Sequence, residues 1–150
     1  MMLNVDYKKK LIHHCIQLQQ DSYQVILTSM NESQAEANAY GPPKDRYDGF
    51  RNQQLRKGQL FEKQAGQVLQ NLKALNIIGE TSLSKVDFGA LVETDRMLFF
   101  ISIGVGLIDF EGKKVAIIST QVPIYKVMHD LKSGDKFSFA GNTHTIISII

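Results

Sequence analysis

The 150-residue sequence has a single cysteine, no tryptophan and only three prolines. One cysteine excludes an intramolecular disulfide framework. The longest apolar stretch, residues 97–108, is interrupted by one serine and two glycines, and it falls short of the roughly 20 residues that cross a bilayer. The first residues also lack the basic-then-apolar order of a secretion signal. We therefore expect a cytoplasmic protein with no membrane segment.

A strong charge of one sign is also missing. Residues 1–78 hold 10 Lys and Arg against 7 Asp and Glu, and residues 79–150 hold 7 against 8. Neither half carries the basic footprint of a nucleic-acid-binding domain. The triplet Lys8-Lys9-Lys10 at a predicted helix start is typical of a solvated face. We expect no direct sequence-specific binding of nucleic acid.

Residues for catalysis or metal binding are few and scattered. His13 and His14 are adjacent on a predicted helix and point about 100° apart, so they cannot grip one ion as an i, i+4 pair does. Cys15 falls on a predicted helix seam and is interpreted as a small core residue. No phosphate-binding loop or nucleophile elbow is present. The sequence predicts no catalytic residue, no bound metal and no cofactor, although an enzyme site hidden in the C-terminal half stays a minor alternative.

The first half has the pattern of a long helix. Residues 7–38 contain no Pro or Gly, and their mostly polar composition is typical of a helix exposed on most of its circumference. One seam recurs every seven residues at Leu11, Leu18 and Val25, with Cys15, Ser22 and Ser29 four residues after each. This heptad spacing predicts coiled-coil packing against a second helix.

A break at Gly41-Pro42-Pro43 then reverses the chain, because proline cannot continue a helix. A second helical pattern runs to about residue 75, with its seam at Phe61, Ala65, Val68, Leu72 and Leu75. Continued toward the break, this seam becomes polar. Residues 1–78 are therefore predicted to form an antiparallel coiled-coil hairpin.

The second half changes to short β-rich runs. They cover residues 86–92, 97–105, 113–119, 136–139 and 143–150, and a short helix is predicted for residues 123–131. Turn residues fall between the runs. Residues 79–150 are predicted to form a small antiparallel β domain with one short helix, which makes the fold class α+β.

Acidic residues flank the predicted turn of the hairpin: Glu32 and Glu36 before it, Asp45 and Asp48 after it. Carboxylates at the end of a helical rod can complete a Mg²⁺ coordination shell in another molecule, since Mg²⁺ takes oxygen ligands and often only one or two from protein. The alternative is that these residues only increase solubility, because Lys44 and Arg46 interleave with them.

Three short segments of the second half carry a family resemblance: Ile118-Ser119, Pro123-Ile124 and Gly134-Asp135. They resemble the "IS…SP(I/L)…GD" pattern of the bacterial Gre family of transcription elongation factors, with Val122 in place of the usual Ser. Phe88-Gly89-Ala90 resembles the family's "FGA", and the resemblance extends over nearly the whole chain.

The resemblance implies an FKBP-like C-terminal domain and binding to RNA polymerase at its secondary channel, with the hairpin tip directed at the catalytic Mg²⁺. It also implies that Ser119, Pro123, Ile124, Gly134 and Asp135 belong to a partner-binding segment.

The tip departs from the family's pattern of two acids. Pro42 takes the place of the first acid, Asp45 alone matches the second, and Asp48 lies nearby. We therefore expect a non-enzymatic regulator with weak or absent stimulation of transcript cleavage. The alternative is a structural coiled-coil adaptor that binds another protein through its β domain.

Overall fold

The computed structural model describes residues 3–40, 49–79 and 81–150. Two long N-terminal helices are followed by a six-stranded mixed sheet with one short helix, which confirms the α+β class. The chain groups into two compact units. The hairpin unit is Cys15–Lys73, and the sheet unit combines Met1–His14 with Ala74–Ile150. The predicted domain boundary at residue 79 concerns independent folding, and it stays a prediction.

The two helices are α1 (Val5–Tyr40) and α2 (Gly49–Asn76). Asn4 caps the start of α1, because its side-chain oxygen accepts a hydrogen bond from the Tyr7 backbone nitrogen at 2.9 Å. The predicted seam of α2 is confirmed: Ala65, Val68 and Leu75 are buried, and Phe61 and Leu72 are half-buried.

The predicted seam of α1 is wrong in its middle part. Val25 is 66% exposed and Ser22 is exposed, whereas Gln19, Ser33 and Ala37 are buried. An α-helix has 3.6 residues per turn and drifts by about 20° per heptad relative to a strict seven-residue repeat. Over the length of α1 this drift moves the buried line away from Val25.

The sheet contains β1 (Leu91–Thr94), β2 (Leu98–Ile101), β3 (Gly106–Phe110), β4 (Lys113–Ile118), β5 (Lys136–Phe139) and β6 (Asn142–Ile149). Their order across the sheet is β3-β4-β2-β1-β6-β5. The helix α3 (Pro123–Met128) lies between β4 and β5 in the chain. The hairpin turns predicted at residues 93–95, 110–112 and 140–142 connect consecutive antiparallel strands.

The sequence predicted an antiparallel sheet, but the sheet is mixed. Strands β2 and β4 pair in parallel, with Phe100 opposite Ile117. The predicted strand at residues 97–105 ends at Ile101, and the following residues bend until Gly106, whose φ is +102°. This bend begins a separate strand, β3, which pairs with β4. The chain has then reversed twice, so β4 enters the sheet in the direction of β2.

The middle of the sheet is buried on both faces. Leu91, Phe100 and Ile117 lie in register and are each 0% exposed. The other face, with Val92 and Phe99, packs in one cluster with Tyr125 and Met128 of α3. Alternate residues of a strand point to opposite faces, so two separate apolar layers lie on the two sides of these strands.

The first turns of α1 belong to the sheet unit and correct the interpretation of the lysine triplet. Lys8 is 1% exposed, and its Nζ donates hydrogen bonds to the carbonyl oxygens of Thr81 at 3.3 Å and Ile150 at 3.2 Å. Burial lowers the pKa of this amine. Only Lys10 fits the predicted solvated face: its side chain is 61% exposed and lies 3.8 Å from Glu111.

Candidate functional site

The segment between β4 and β5 carries the five predicted partner-binding residues, and its first part sets up helix α3. Ser119 follows β4, and its Oγ accepts a hydrogen bond from the Gln121 backbone nitrogen at 3.3 Å. Pro123 is exposed and opens α3, a position where its missing N–H costs nothing. Ile124 is partly buried against the core. At the start of α3, Pro123 is therefore exposed to solvent while the next residue, Ile124, packs against the core.

The second part of the segment builds the turn into β5. Gly134 has a φ of +91°, a conformation that costs glycine nothing and other residues a steric penalty. Its backbone nitrogen donates to the Ile146 carbonyl at 2.8 Å. Asp135 closes the same turn, because its Oδ2 accepts from the Lys132 backbone nitrogen at 2.8 Å. Both residues have a structural task here, and Asp135 remains exposed.

Charged and aromatic groups surround the C-terminal end of α3. Asp130 lies 3.2 Å from Lys85 Nζ through one oxygen and 3.4 Å from His129 Nδ1 through the other. The Tyr125 hydroxyl donates to Asp87 at 3.5 Å, and burial, with the charge of Asp87 second, raises the pKa of that hydroxyl. The tyrosine therefore stays a protonated hydrogen-bond donor at neutral pH.

The exposed side of α3 combines this mixed charge with apolar area. Val127 is 42% exposed, and the neighbouring Lys126 is also exposed. This surface differs from a nucleic-acid interface, which is strongly positive, because it combines exposed apolar area with both signs of charge. We call Pro123, Lys126 and Val127 the α3 patch.

The predicted tip residues Gly41, Pro42, Pro43, Asp45 and Asp48 lie outside the described residues, and their Mg²⁺-directed role stays a prediction. Glu32 and Glu36, on the described part of α1, are exposed. Across residues 3–40, 49–79 and 81–150, no group of three or more His, Cys, Asp or Glu is arranged to hold a metal ion. In the same ranges, no helix combines the length and apolarity needed to cross a membrane.

Cys15 and His144, two residues with reactive side chains, are buried in the interior of the protein. Cys15 is 0% exposed, in agreement with its interpretation as a core residue, and burial raises the pKa of its thiol to about 12. His144 is 5% exposed and stacks on Phe137 with ring centroids 4.8 Å apart. Its Nδ1 lies 3.4 Å from Thr94 Oγ1. The alternation His144, Ile146 along β6 was the sequence signal for this burial.

The sequence did not predict the polar contacts inside the hairpin unit. Ser33 Oγ donates a buried hydrogen bond to Gln54 Oε1 at 2.8 Å, and Asn71 Nδ2 donates to Gln19 Oε1 at 3.1 Å. A groove of about 460 Å³ beside the first pair is lined on both helices, by Gln34 and Gly58 among others. The only sequence signal was the polar continuation of the α2 seam through Gln54.

Comparison with protein-family models finds no matching family, and comparisons with curated proteins and with solved structures find no significant match.

Proposed function

We propose that this protein is a Gre-like regulator of transcription elongation that binds RNA polymerase at its secondary channel and stimulates transcript cleavage weakly or not at all. The observation that carries this proposal is the hairpin of two long helices, α1 with 36 residues and α2 with 28. At 1.5 Å per residue, the part of α1 that belongs to the hairpin unit, residues 15–40, is roughly 40 Å long. A rod of this length suits insertion into a deep, narrow channel better than it suits an enzyme pocket.

The α3 patch is the proposed docking surface for the polymerase. It lies in the segment that resembles the Gre family, and Pro123 and Val127 leave apolar area exposed there. The buried Ile124 and the turn at Gly134 and Asp135 hold this helix in place. In this proposal, Pro123 contacts the partner, while Ile124, Gly134 and Asp135 act indirectly by positioning α3.

The composition of the tip supports the limited cleavage activity. Pro42 replaces one of the two acids of the Gre family, and Asp45 is the remaining match. One carboxylate holds a Mg²⁺ ion less well than two, and prolines restrict the backbone of the turn. The protein therefore modulates or obstructs the catalytic centre of the polymerase and is not itself an enzyme.

Binding is tested by capture of purified bacterial RNA polymerase on the immobilised full-length protein. We expect wild type to retain the polymerase and Val127→Asp to lose most of the binding. Ile147→Asp is the matched control, because Ile147 is 52% exposed on β6, outside the α3 patch. Equal loss with both variants would contradict the assignment of the docking surface.

Cleavage is tested on stalled transcription complexes with wild type, Asp45→Ala and Pro42→Asp. We expect little cleavage with wild type, less with Asp45→Ala, and a gain with Pro42→Asp, which restores a second acid. Strong cleavage by wild type that depends on Asp45 would refute the proposed weak activity. If no variant binds polymerase, the adaptor function replaces this proposal.

A further inference from the structure

The hairpin unit has one acidic and one basic helix. Residues 15–40 hold three Asp and Glu and no Lys or Arg, while residues 49–73 hold five Lys and Arg and one Glu. The charge of the unit is therefore close to balanced as a whole, although it is separated between the two helices. Such a separation is a feature of surfaces that bind a partner with the opposite pattern.

On each helix the charges line up with one exposed apolar residue between them. The acidic stripe of α1 is Asp21, Val25 and Glu32, and the basic stripe of α2 is Arg56, Leu60 and Lys63. All six residues are exposed, with Val25 at 66% and Leu60 at 54%. Their spacings of three, four and seven residues place each stripe on one helix face.

The two stripes occupy equivalent positions relative to the buried seam. Asp21 follows the buried Gln19 by two residues, as Arg56 follows the buried Gln54. In an antiparallel helix pair, equivalent positions lie on the same side of the plane through both helix axes. One broad face of the hairpin therefore carries an acidic margin and a basic margin.

Ion pairs between described residues leave these margins untouched. Among the residues that the structure describes, no ion pair engages Asp21, Glu32, Arg56 or Lys63. Asp21 accepts one hydrogen bond, from Gln17 Nε2 at 2.8 Å, through Oδ1, and its second oxygen remains available. As far as the described residues show, these four charges are therefore available to pair with another molecule.

The level of each residue along the hairpin follows from the cross-helix hydrogen bonds. Ser33 contacts Gln54, and Gln19 contacts Asn71. Glu32 is therefore level with Arg56, and Lys63 lies about one helical turn from the level of Asp21. A two-fold axis parallel to the helices places the acidic margin of one copy on the basic margin of another, with Val25 and Leu60 between the charges.

We propose that this face binds a second copy of the chain, in a two-fold dimer in which each acidic stripe pairs with the partner's basic stripe. A closed two-fold interface satisfies both stripes of both copies. A nucleic acid fits less well, because the acidic margin on the same face repels phosphates. This inference concerns the protein alone and does not depend on polymerase binding.

The test is sedimentation velocity of the full-length protein over a range of concentrations at low and high salt, with three variants. D21K/E32K makes both stripes basic, R56E/K63E makes both acidic, and the quadruple variant exchanges the two signs. We expect wild type and the quadruple variant to dimerise, more weakly at high salt because exposed charges are screened. Each double variant alone should show a dissociation constant raised about tenfold or more, and an equimolar mixture of the two should dimerise again.

The control is Lys73→Glu, which reverses one charge, as each substitution of R56E/K63E does, at an exposed α2 residue outside the basic stripe and should leave dimerisation unchanged. Circular dichroism establishes that each variant retains its helices. Wild type that stays monomeric at low salt, or a mixture of the double variants that fails to associate, would overturn the proposal. Salt-sensitive binding of a single-stranded RNA probe by monomeric wild type, lost in R56E/K63E, would replace the second copy with a polyanion.

Discussion

The interior of the sheet unit and the interior of the hairpin unit are stabilised by different kinds of contact. In the sheet unit, Leu91, Phe100 and Ile117 are 0% exposed and lie side by side across three strands. In the hairpin unit, the interior includes Gln19, Ser33 and Gln54. Burying a large apolar side chain contributes about 1.5–3 kcal/mol, while a typical hydrogen bond contributes a net 0.5–1.5 kcal/mol, roughly.

The difference teaches that stability and register come from separate sources. Apolar side chains stabilise the sheet unit without requiring particular partners. The Ser33–Gln54 and Asn71–Gln19 pairs contribute less free energy, but each is satisfied in only one alignment of the two helices. A polar pair inside a coiled-coil seam is a known way to fix register.

The largest change in the free energy of unfolding is expected at Leu75, and the exposed Leu69 of the same helix is its control. Leu75 is 1% exposed in the sheet unit, and Leu69 is 50% exposed in the hairpin unit. Leu75→Asp buries an unpaired charge, so we expect the free energy of unfolding to fall by about 4 kcal/mol or more. Leu69→Asp should lower it by about 0.5 kcal/mol or less. Chemical denaturation of both variants checks this, and similar losses would contradict the burial of Leu75.

A slightly smaller effect is expected at the lysine triplet. Lys8→Glu places a carboxylate against the carbonyl oxygens of Thr81 and Ile150, which now accept hydrogen bonds from Lys8. We expect a loss of about 3 kcal/mol, since an unpaired buried charge costs about that much. Lys10→Glu, with a side chain 61% exposed, is the control and should cost about 1 kcal/mol or less. Thermal unfolding gives both values, and a tolerated Lys8→Glu would exclude this burial.

A moderate effect should be confined to the hairpin unit. Ser33→Ala leaves the buried Gln54 side chain without its partner, at a cost of about 1–2 kcal/mol. The double variant Ser33→Ala/Gln54→Leu replaces both polar groups and should recover most of this loss. Amide hydrogen exchange should report faster opening in residues 15–40 and 49–73 only. Increased exchange in the sheet strands as well would contradict the independence of the two units.

The smallest effect at neutral pH concerns His144. Burial, with the charge of Arg96 second, lowers the pKa of this imidazole, so the unfolded chain binds a proton more readily than the folded chain. The free energy of unfolding should be at its full value above pH of about 6.5 and fall as the pH drops below it. His144→Phe should remove this dependence, and the exposed His129→Gln should retain it. Denaturation at several pH values checks this, and the same slope in all three proteins would exclude His144 as its source.

The sequence pattern predicted those parts of the fold that depend on local chemistry. The α2 seam from Phe61 to Leu75 and the three strand turns follow from residue type and spacing. Turn residues and apolar spacing act over a few positions, so a single sequence contains their signal.

Long-range pairing was not predictable in this way. The parallel pairing of β2 with β4 depends on how the chain turns between Ile101 and Gly106, and no apolar pattern encodes strand order. The burial of Lys8 depends on carbonyl groups 73 and 142 residues further along the chain. The Ser33–Gln54 pair was not predicted, because polar residues in a helix seam are ordinarily interpreted as positions where the apolar contact between the helices is weak.

The structure shows where the residues of the candidate site lie, and their role in binding a partner stays a prediction. Pro123 is exposed at the start of α3, as expected of a contact residue. Gly134 and Asp135 were expected in a binding segment, and they form the turn before β5. A sequence motif does not distinguish exposed residues such as Pro123 from residues that build a turn, such as Gly134 and Asp135.

The bond from Lys8 to Ile150 has a consequence for the order of folding during synthesis. The strand β6, which precedes Ile150, pairs with both β1 and β5, so the sheet unit closes only after the last of these residues has left the ribosome. The contacts within the hairpin unit, Cys15–Lys73, join residues made earlier, so we expect this unit to form first, because contacts near in sequence form sooner. The first turns of α1 therefore complete their contacts only after β6 and Ile150 have been synthesised.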